Sequence, residues 1–264
     1  MTDPRIQARR VVVARQQGRH RRRRILTGLV IAGLVATGVA LVHSSLFGAR
    51  HVRISGASNI PSSTVIAVAG LRGDPPLVDL SAGLIATRLE RLPWVLTAEV
   101  RIAWPSTVSI QVTERIPVAA VAVAGSPGVY ATCDVSGRVL EVGQRSASLP
   151  VVIPSRGQPG VPGSFLPVAD RSLLEVAAAL PESMVSETTE IADSPAVGAV
   201  VVLTHHLTAI VGGSGSLQQK FVSLATVLAH GALQGIGAID LRVPTAPVLL
   251  PPGSRPSVAG NVAG

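Results

Sequence analysis

The chain has 264 residues, 47% of them hydrophobic but only 2% aromatic, and a formal charge of +8. That charge is local: residues 1–24 hold nine Arg and one Asp, whereas residues 25–264 balance 14 basic against 14 acidic side chains. Basicity confined to one tail, with no folded reading element beside it, argues against a nucleic-acid-binding protein. The lone cysteine, Cys133, excludes an internal disulfide, so stability must come from a core of Val, Leu, Ile and Ala.

Directly after Arg21–Arg24 comes an uncharged apolar stretch, Ile25–Val42. Eighteen residues of helix rise roughly 27 Å, close to the ~30 Å hydrocarbon core of a bilayer. The long basic head, the membrane-length core and the lack of a small-residue cleavage site favour an uncleaved anchor over a secretory signal peptide. Basic flanks stay cytoplasmic. Residues 1–24 are therefore expected inside as an Arg-rich tail, residues 25–43 across the membrane, and the remainder outside.

Beyond the anchor, Arg50–Ser55 alternates as a strand and Gly56 breaks it. Pro61–Ala69 reads as a short helix capped by Ser62 and stopped by Gly70. Asp79–Leu92 reads as a second, with Leu80, Leu84, Leu89 and Leu92 near one face. Period-two alternation then sets Val100, Ile102 and Trp104 against Glu99, Arg101 and Ala103. After Pro105-Ser106 it continues with Val108, Ile110 and Val112 inward, giving a hairpin with one buried face. Two helices on one face of a three-stranded sheet make an α+β unit.

These residues resemble the POTRA domain of the FtsQ/DivIB family of bacterial division proteins. The likeness rests on Leu92-Pro93-Trp94-Val95, Val100-Arg101-Ile102, Trp104-Pro105 and Val112-Thr113-Glu114-Arg115-Ile116-Pro117-Val118-Ala119. It continues through the Val129–Val142 segment, the Leu149–Pro154 segment, a glycine turn before a lysine-bearing helix, and Ile239-Asp240-Leu241-Arg242-Val243-Pro244. The resemblance implies a POTRA domain over 44–116 in the order β-α-α-β-β. It also implies a mainly antiparallel β domain with flanking helices over 117–243.

In that second block, Val118–Val123 and Val129–Cys133 read as strands, with a turn at Asp134–Gly137; Leu149–Ile153 follows, then a Pro/Gly loop through Pro162. Asp170–Leu180 is expected to be helical. Val185–Ile191, Ala199–Leu203 and Leu207–Val211 are expected strands. Ser216 should cap a helix to His230, whose Leu217, Phe221, Leu224 and Leu228 form an apolar stripe. Gly237–Val243 reads as the closing strand and a sheet edge. Five prolines from Pro244 onward suggest a mobile tail over 244–264.

A catalytic constellation cannot be assembled from these residues. His205 and His206 are adjacent and point to opposite faces of a strand, which suits no single metal. Gly212-Gly213-Ser214-Gly215-Ser216 lacks the Lys-Ser/Thr ending of a phosphate-binding loop and reads as a turn feeding a helix. Cys133 has no activating partner and reads as a small core residue. Glu99 and Glu114, each flanked by Arg, read as solvated ion pairs. Trp94 and Trp104 read as packing residues, with an exposed partner-binding aromatic as the other reading. Neither enzyme activity nor a cofactor or metal is expected.

The resemblance implies a scaffold at the division septum that meets FtsB/DivIC-type and FtsL-type bitopic proteins and septal wall-synthesis proteins. Two rivals are a POTRA-type chain-binding module of protein transport, which would need a membrane barrel, and an anchored cell-wall hydrolase. By resemblance, Val100, Ile102 and Glu114 lie where family members contact other division proteins, Glu114 being the better candidate as a charge at a strand end. Asp240, Leu241, Arg242 and Val243 lie where the FtsB/DivIC-type subunit is bound. In the expected strand Asp240 and Arg242 share the partner face, while Ile239, Leu241 and Val243 face the helix below.

Overall fold

The computed structural model describes residues 4–155, 157–204, 207–230, 233–254 and 256–257, with side chains from Arg23 onward except at Ser45. The chain packs as two compact units. Residues up to Leu89 join Ala98–Val112 in the first, and Glu90–Thr97 join the chain from Thr113 onward in the second. Thus the short segment bearing Pro93 and Trp94 groups with the later part of the chain, although it lies inside the sequence of the earlier one.

The first unit opens with α1 (Pro4–Val42), whose Arg23–Val42 portion has the length and composition to cross a membrane and is not buried by the protein. The helical backbone therefore continues into the Arg-rich head without a break. The order β1 (His51–Ser55), α2 (Ser62–Ala69), α3 (Ala82–Leu89), β2 (Val95–Ala103), β3 (Thr107–Glu114) is the one expected. The strands form a sheet ordered β1-β3-β2, with β1 parallel to β3 and His51 opposite Thr107. Central β3 buries Val108, Ile110 and Val112 on one face, and α2 and α3 bury Val65, Ala69, Ile85 and Leu89.

Several local expectations are corrected. Pro61, not Ser62, holds the N-cap position of α2, without a side-chain cap. The second helix is shorter than its leucines suggest: Ile85 and Leu89, at i and i+4, form its buried face, and Leu84 is exposed. That pairing wins because four residues span about one turn, whereas Leu84 lies ~100° to the side of Ile85. Val100 and Ile102 do alternate with exposed Glu99 and Arg101, but β2 is an edge strand and they are only half-buried. Trp104 falls past the end of β2 and is exposed.

The second unit holds one nine-stranded sheet in the order β12-β11-β10-β9-β8-β7-β4-β5-β6. Its strands are β4 (Pro117–Ala122), β5 (Tyr130–Asp134), β6 (Val139–Gly143), β7 (Val151–Ile153), β8 (Thr188–Ser194), β9 (Gly198–Leu203), β10 (Thr208–Gly212), β11 (Ala238–Asp240) and β12 (Val248–Leu250). Three pairings are parallel, β4 with β7, β7 with β8 and β10 with β11; the others are antiparallel. Three helices, α4 (Arg171–Ala179), α5 (Glu182–Val185) and α6 (Leu217–His230), accompany it.

Period-two alternation explains the two sheet faces. Ala199, Val201, Leu203, Ala209, Val211 and Ile239 join the main core with Leu173, Leu174, Phe221 and Leu224 of the helices. The intervening Val200, Ile210 and Ala238 form a smaller cluster with Ala192. Cys133 is fully buried in the main core. Burial, and secondarily the charge of Asp134, push its thiol up to about 12, so it is inert packing. β6, α5 and β12 were not anticipated. The last lies within the stretch read as a mobile tail: three apolar residues, Val248-Leu249-Leu250, suffice to pair with β11 between flanking prolines.

A buried ion pair organises the start of this unit. Arg115 Nη1 donates to Asp134 Oδ2 at 2.8 Å, and both side chains are largely buried. Arg115 also donates through Nε to the Val95 carbonyl at 3.1 Å, and its backbone N–H to the Trp94 carbonyl at 2.8 Å. On the other side, Asp134 Oδ1 accepts from Ser136 Oγ at 2.6 Å and Arg138 N at 2.9 Å, which closes the expected turn. Gly137 completes that turn at φ +85°, a conformation costly for side chains with a Cβ. Burial alone would raise the Asp134 carboxyl, but Ser136, Arg115 and the Arg138 N–H together hold it below its usual range. A depressed carboxyl contributes stability above its unfolded pKa, ~3.9, and loses it as pH falls through the folded value. Replacing Arg115 with Ala strands that charge. Arg115→Ala is expected to cost about 3–5 kcal/mol in denaturant unfolding at neutral pH, with the deficit shrinking under acid as Asp134 protonates.

Candidate partner-binding edge

Strand β11 sits between β10, to which it is parallel, and β12, to which it is antiparallel. Its burial comes from the expected stripe on α6: Ile239 and Leu241 are fully buried in the core with Phe221 and Leu224, and Leu217 and Leu228 pack on the same cluster. The edge is therefore β12, where Val248 and Leu249 are exposed. This corrects the expectation that Ile239–Val243 itself forms the edge.

The strand also ends earlier than its alternation suggests. Asp240 Oδ1 accepts the Arg242 N–H at 3.0 Å, a local bond that turns the chain out of the sheet. Leu241 N–H still donates to the Ile210 carbonyl at 2.9 Å, but period two stops there. Val243, expected to face inward, is 58% exposed, and Leu241 is fully buried. Leu241 consequently supports this surface from below rather than forming part of it.

The side chains of Asp240 and Arg242 form a fork. Arg242 Nη2 donates to Oδ2 at 2.6 Å, and Nε lies 3.0–3.1 Å from both carboxylate oxygens. The Arg242 side chain, half-exposed, lays its stem over Gly212, where an added Cβ would fall 2.9 Å from Arg242 Cγ. Gly212 itself sits at φ +71°, so both close approach and backbone conformation call for glycine. The bond from Arg242 is the first cause of a depressed Asp240 carboxyl; burial opposes it, and Lys220 adds to the depression.

Lys220, the single lysine of the chain, is 5% exposed. Its Nζ donates to the carbonyls of Val211 and Gly213, each at 2.8 Å. Burial lowers its pKa, and the charge of Asp240 partly restores it. The end of β10 and the Gly212–Ser216 turn thus each offer a carbonyl to an internal cation, which fits the reading of that segment as a turn into a helix. Ser216 stands before α6 with φ +56°, its carbonyl accepting the Lys220 N–H at 3.1 Å. Lys220 was not among the residues expected to shape the partner surface. The signal was a lysine at 220 within the stripe 217, 221, 224, a buried position for a charged residue.

Two grooves flank this surface. One of about 310 Å³ is lined by Asp240, Arg242, Val243, Ala246 and Val248. A larger one, about 670 Å³, lies between α6 residues such as Val222 and Thr226 and the Pro244–Pro247 loop, which Ser223 Oγ anchors by donating to the Pro244 carbonyl at 2.6 Å.

Of the other singled-out residues, Val100 and Ile102 lie in the first unit, and Glu114, half-buried, ends β3 in the second. Glu99 pairs with Arg101 at 3.5 Å, both well exposed, a solvated pair as expected. His205 and His206 lie outside the described residues. Among the described residues, no group of three or more His, Cys, Asp or Glu is placed to hold a metal.

A sequence model of the POTRA domain, FtsQ-type, matches residues 47–115. The chain is similar to the cell division protein FtsQ of Mycolicibacterium smegmatis, 27% identical over 81% of this chain and 62% of that protein. It thus spans under two-thirds of that relative. Similar proteins of the same name occur in Salinibacter ruber, 29% identical over 85% of this chain and 91% of the relative, and in Streptomyces collinus, 29% identical over 89% and 90%. The extracytoplasmic domain of the division protein DivIB from Geobacillus stearothermophilus matches at 18% identity and a TM-score of 0.29, over 46% of this chain and 90% of that one. With the FtsQ-type match falling on the strand-helix-helix-strand-strand unit and relatives named cell division protein FtsQ aligning well beyond it, the chain carries an FtsQ-type POTRA unit and is similar to bacterial FtsQ proteins over most of its length.

Proposed function

We propose that the protein is a non-enzymatic, membrane-anchored scaffold of the divisome that recruits division proteins to the septum from outside the cytoplasmic membrane. The observation that carries this reading is the short exposed edge strand β12 beside a groove built around the Arg242–Asp240 fork. An edge strand offers unpaired N–H and C=O groups to an extended partner segment. A half-exposed guanidinium offers a fixed cation to an acidic side chain of that segment. The names of its relatives, cell division protein FtsQ, supply the setting. The partner at this edge is a bitopic subunit of the FtsB/DivIC type, with FtsL-type and septal wall-synthesis proteins in the same assembly. Asp240, Arg242 and Val243 meet it, and Leu241 holds them from the core.

The arginine-rich head and the Arg23–Val42 span support an N-terminus in the cytoplasm and a C-terminus outside. A reporter active only outside the membrane, fused after Gly264, is expected to be active; an inactive reporter on a stably expressed fusion would sink this topology.

At the edge, Arg242→Glu places two carboxylates side by side where a fork stood. It is expected to weaken binding of the FtsB/DivIC-type partner at least ~10-fold, about 1.4 kcal/mol, in a direct titration. Arg242→Gln, which keeps the stem over Gly212, should fall between it and the parent. Unchanged affinity in both variants refutes the assignment. In the FtsQ-type region, Glu114→Lys is expected to reduce midcell recruitment of a fluorescent fusion while the melting temperature changes little. Normal recruitment, or unfolding, removes Glu114 from the surface.

A further inference from the structure

The passage from α1 into the first unit is not a free linker. Backbone N–H groups of His43 and Ser44 donate to the carbonyls of Val39 and Leu41, and an extended Ser44 then opens a 3-10 turn over Ser45–Phe47, its carbonyl accepting the Phe47 N–H. Ala49 N–H then donates to the Pro75 carbonyl at 2.9 Å, Gly48 bridges to Pro76, and His51 N–H donates to the Ser106 carbonyl at 3.0 Å. A side-chain contact adds to this, His43 Nε2 lying 3.6 Å from Asp79 Oδ1. Three segments distant in sequence, 43–51, 75–79 and 104–106, are thereby gathered at the end of the membrane-length helix.

Each of the three carries a large apolar side chain turned to solvent: Leu46 is 60% exposed, Val78 46% and Trp104 55%. Trp104 lies against Phe47, with ring centroids 5.8 Å apart and planes at 59°. Helical and 3-10 residues rise only about 1.5–2 Å each and the one extended residue, Ser44, at most about 3.6 Å, so Phe47, five residues past Val42, stays within about 12 Å of the end of the apolar span. The headgroup layer on each side of a bilayer is itself roughly 5–8 Å deep. An indole there keeps its N–H in a wet, polar zone while its rings leave water, which is why Trp collects at that depth.

We propose that Leu46, Val78 and Trp104 form a seating face that lies in the outer headgroup layer of the bilayer spanned by α1. The occupant is lipid, because the same chain places these side chains at the end of its own membrane helix. This seating rests on the reading of α1 as a membrane anchor and specifies the depth of the unit that follows it.

The test uses the full-length chain in phosphatidylcholine–phosphatidylglycerol vesicles, with flotation to establish incorporation. Nitroxide-labelled lipid is present in both leaflets, carrying the label either near the headgroup or at the acyl terminus. The chain has two tryptophans, Trp94 and Trp104, so the emission of the parent minus that of Trp104→Phe belongs to Trp104. The headgroup-proximal label is expected to quench this difference emission at least about twofold more than the terminal label. A second variant leaves Trp104 in place: Leu46→Ser with Val78→Ser should reduce that quenching by about half or more by lifting the face towards water. Floated vesicles whose difference emission responds to neither label, or mainly to the terminal one, would overturn the seating while leaving the anchor standing. Failure to float would overturn the anchor and the seating with it.

Discussion

One buried ammonium fixes the far end of the nine-stranded sheet. Nζ of Lys220 satisfies two carbonyls, those of Val211 and Gly213, where β10 gives way to the turn before α6. An ammonium in such a place is tolerated only when its donors are matched and a countercharge is near. Asp240 supplies the countercharge, and Asp240 is the last residue of β11. The lysine therefore ties together the end of one strand, the start of the helix that crosses over, and the end of the parallel strand beyond it. The Arg242 fork is built on that same carboxylate, so the geometry of the surface is inherited from the core beneath it.

A comparable arrangement sits at the other end of the sheet. Arg115 joins Asp134 to the carbonyl of Val95, and Asp134 in turn closes the turn before β6. Between these two cations the interior is almost wholly aliphatic, with Phe221 the one aromatic among the largest fully buried side chains. Aliphatic packing supplies area but little direction, since the hydrophobic effect is not directional. Buried charge pairs, which break at a high cost when misaligned, supply register where the chain changes course.

What was legible in the sequence follows from the range of the forces involved. Strand β3 and helix α6 were readable because each carries its own period, two for Val108, Ile110 and Val112, and near 3.6 for Leu217, Phe221 and Leu224. Strand β12 was not readable: three residues among prolines carry no period, and their pairing depends on β11, formed elsewhere. Val243 was misplaced because an Asp240–Arg242 side-chain bond ended the alternation one residue after the strand. Trp104 was misplaced likewise, since alternation along β2 continued on paper past the end of the strand. Arg242 itself could be named from the family likeness, but its support by Gly212 and Lys220 belongs to tertiary structure and lies outside any local window.

The brevity of β12 has a consequence for how copies of this protein coexist. With Pro247 before it and Pro251-Pro252 after it, the strand offers a ladder of three residues and then stops donating. Two such edges meeting one another would gain too few bonds to hold in water, where even an isolated hairpin is only marginally stable. A different polypeptide that also fills the adjoining groove is not bound by that limit. Copies crowded into a small patch of membrane can therefore keep their edges open without templating fibres from one another, so that proline punctuation acts as a safeguard on colloidal behaviour as much as a stop signal for the fold.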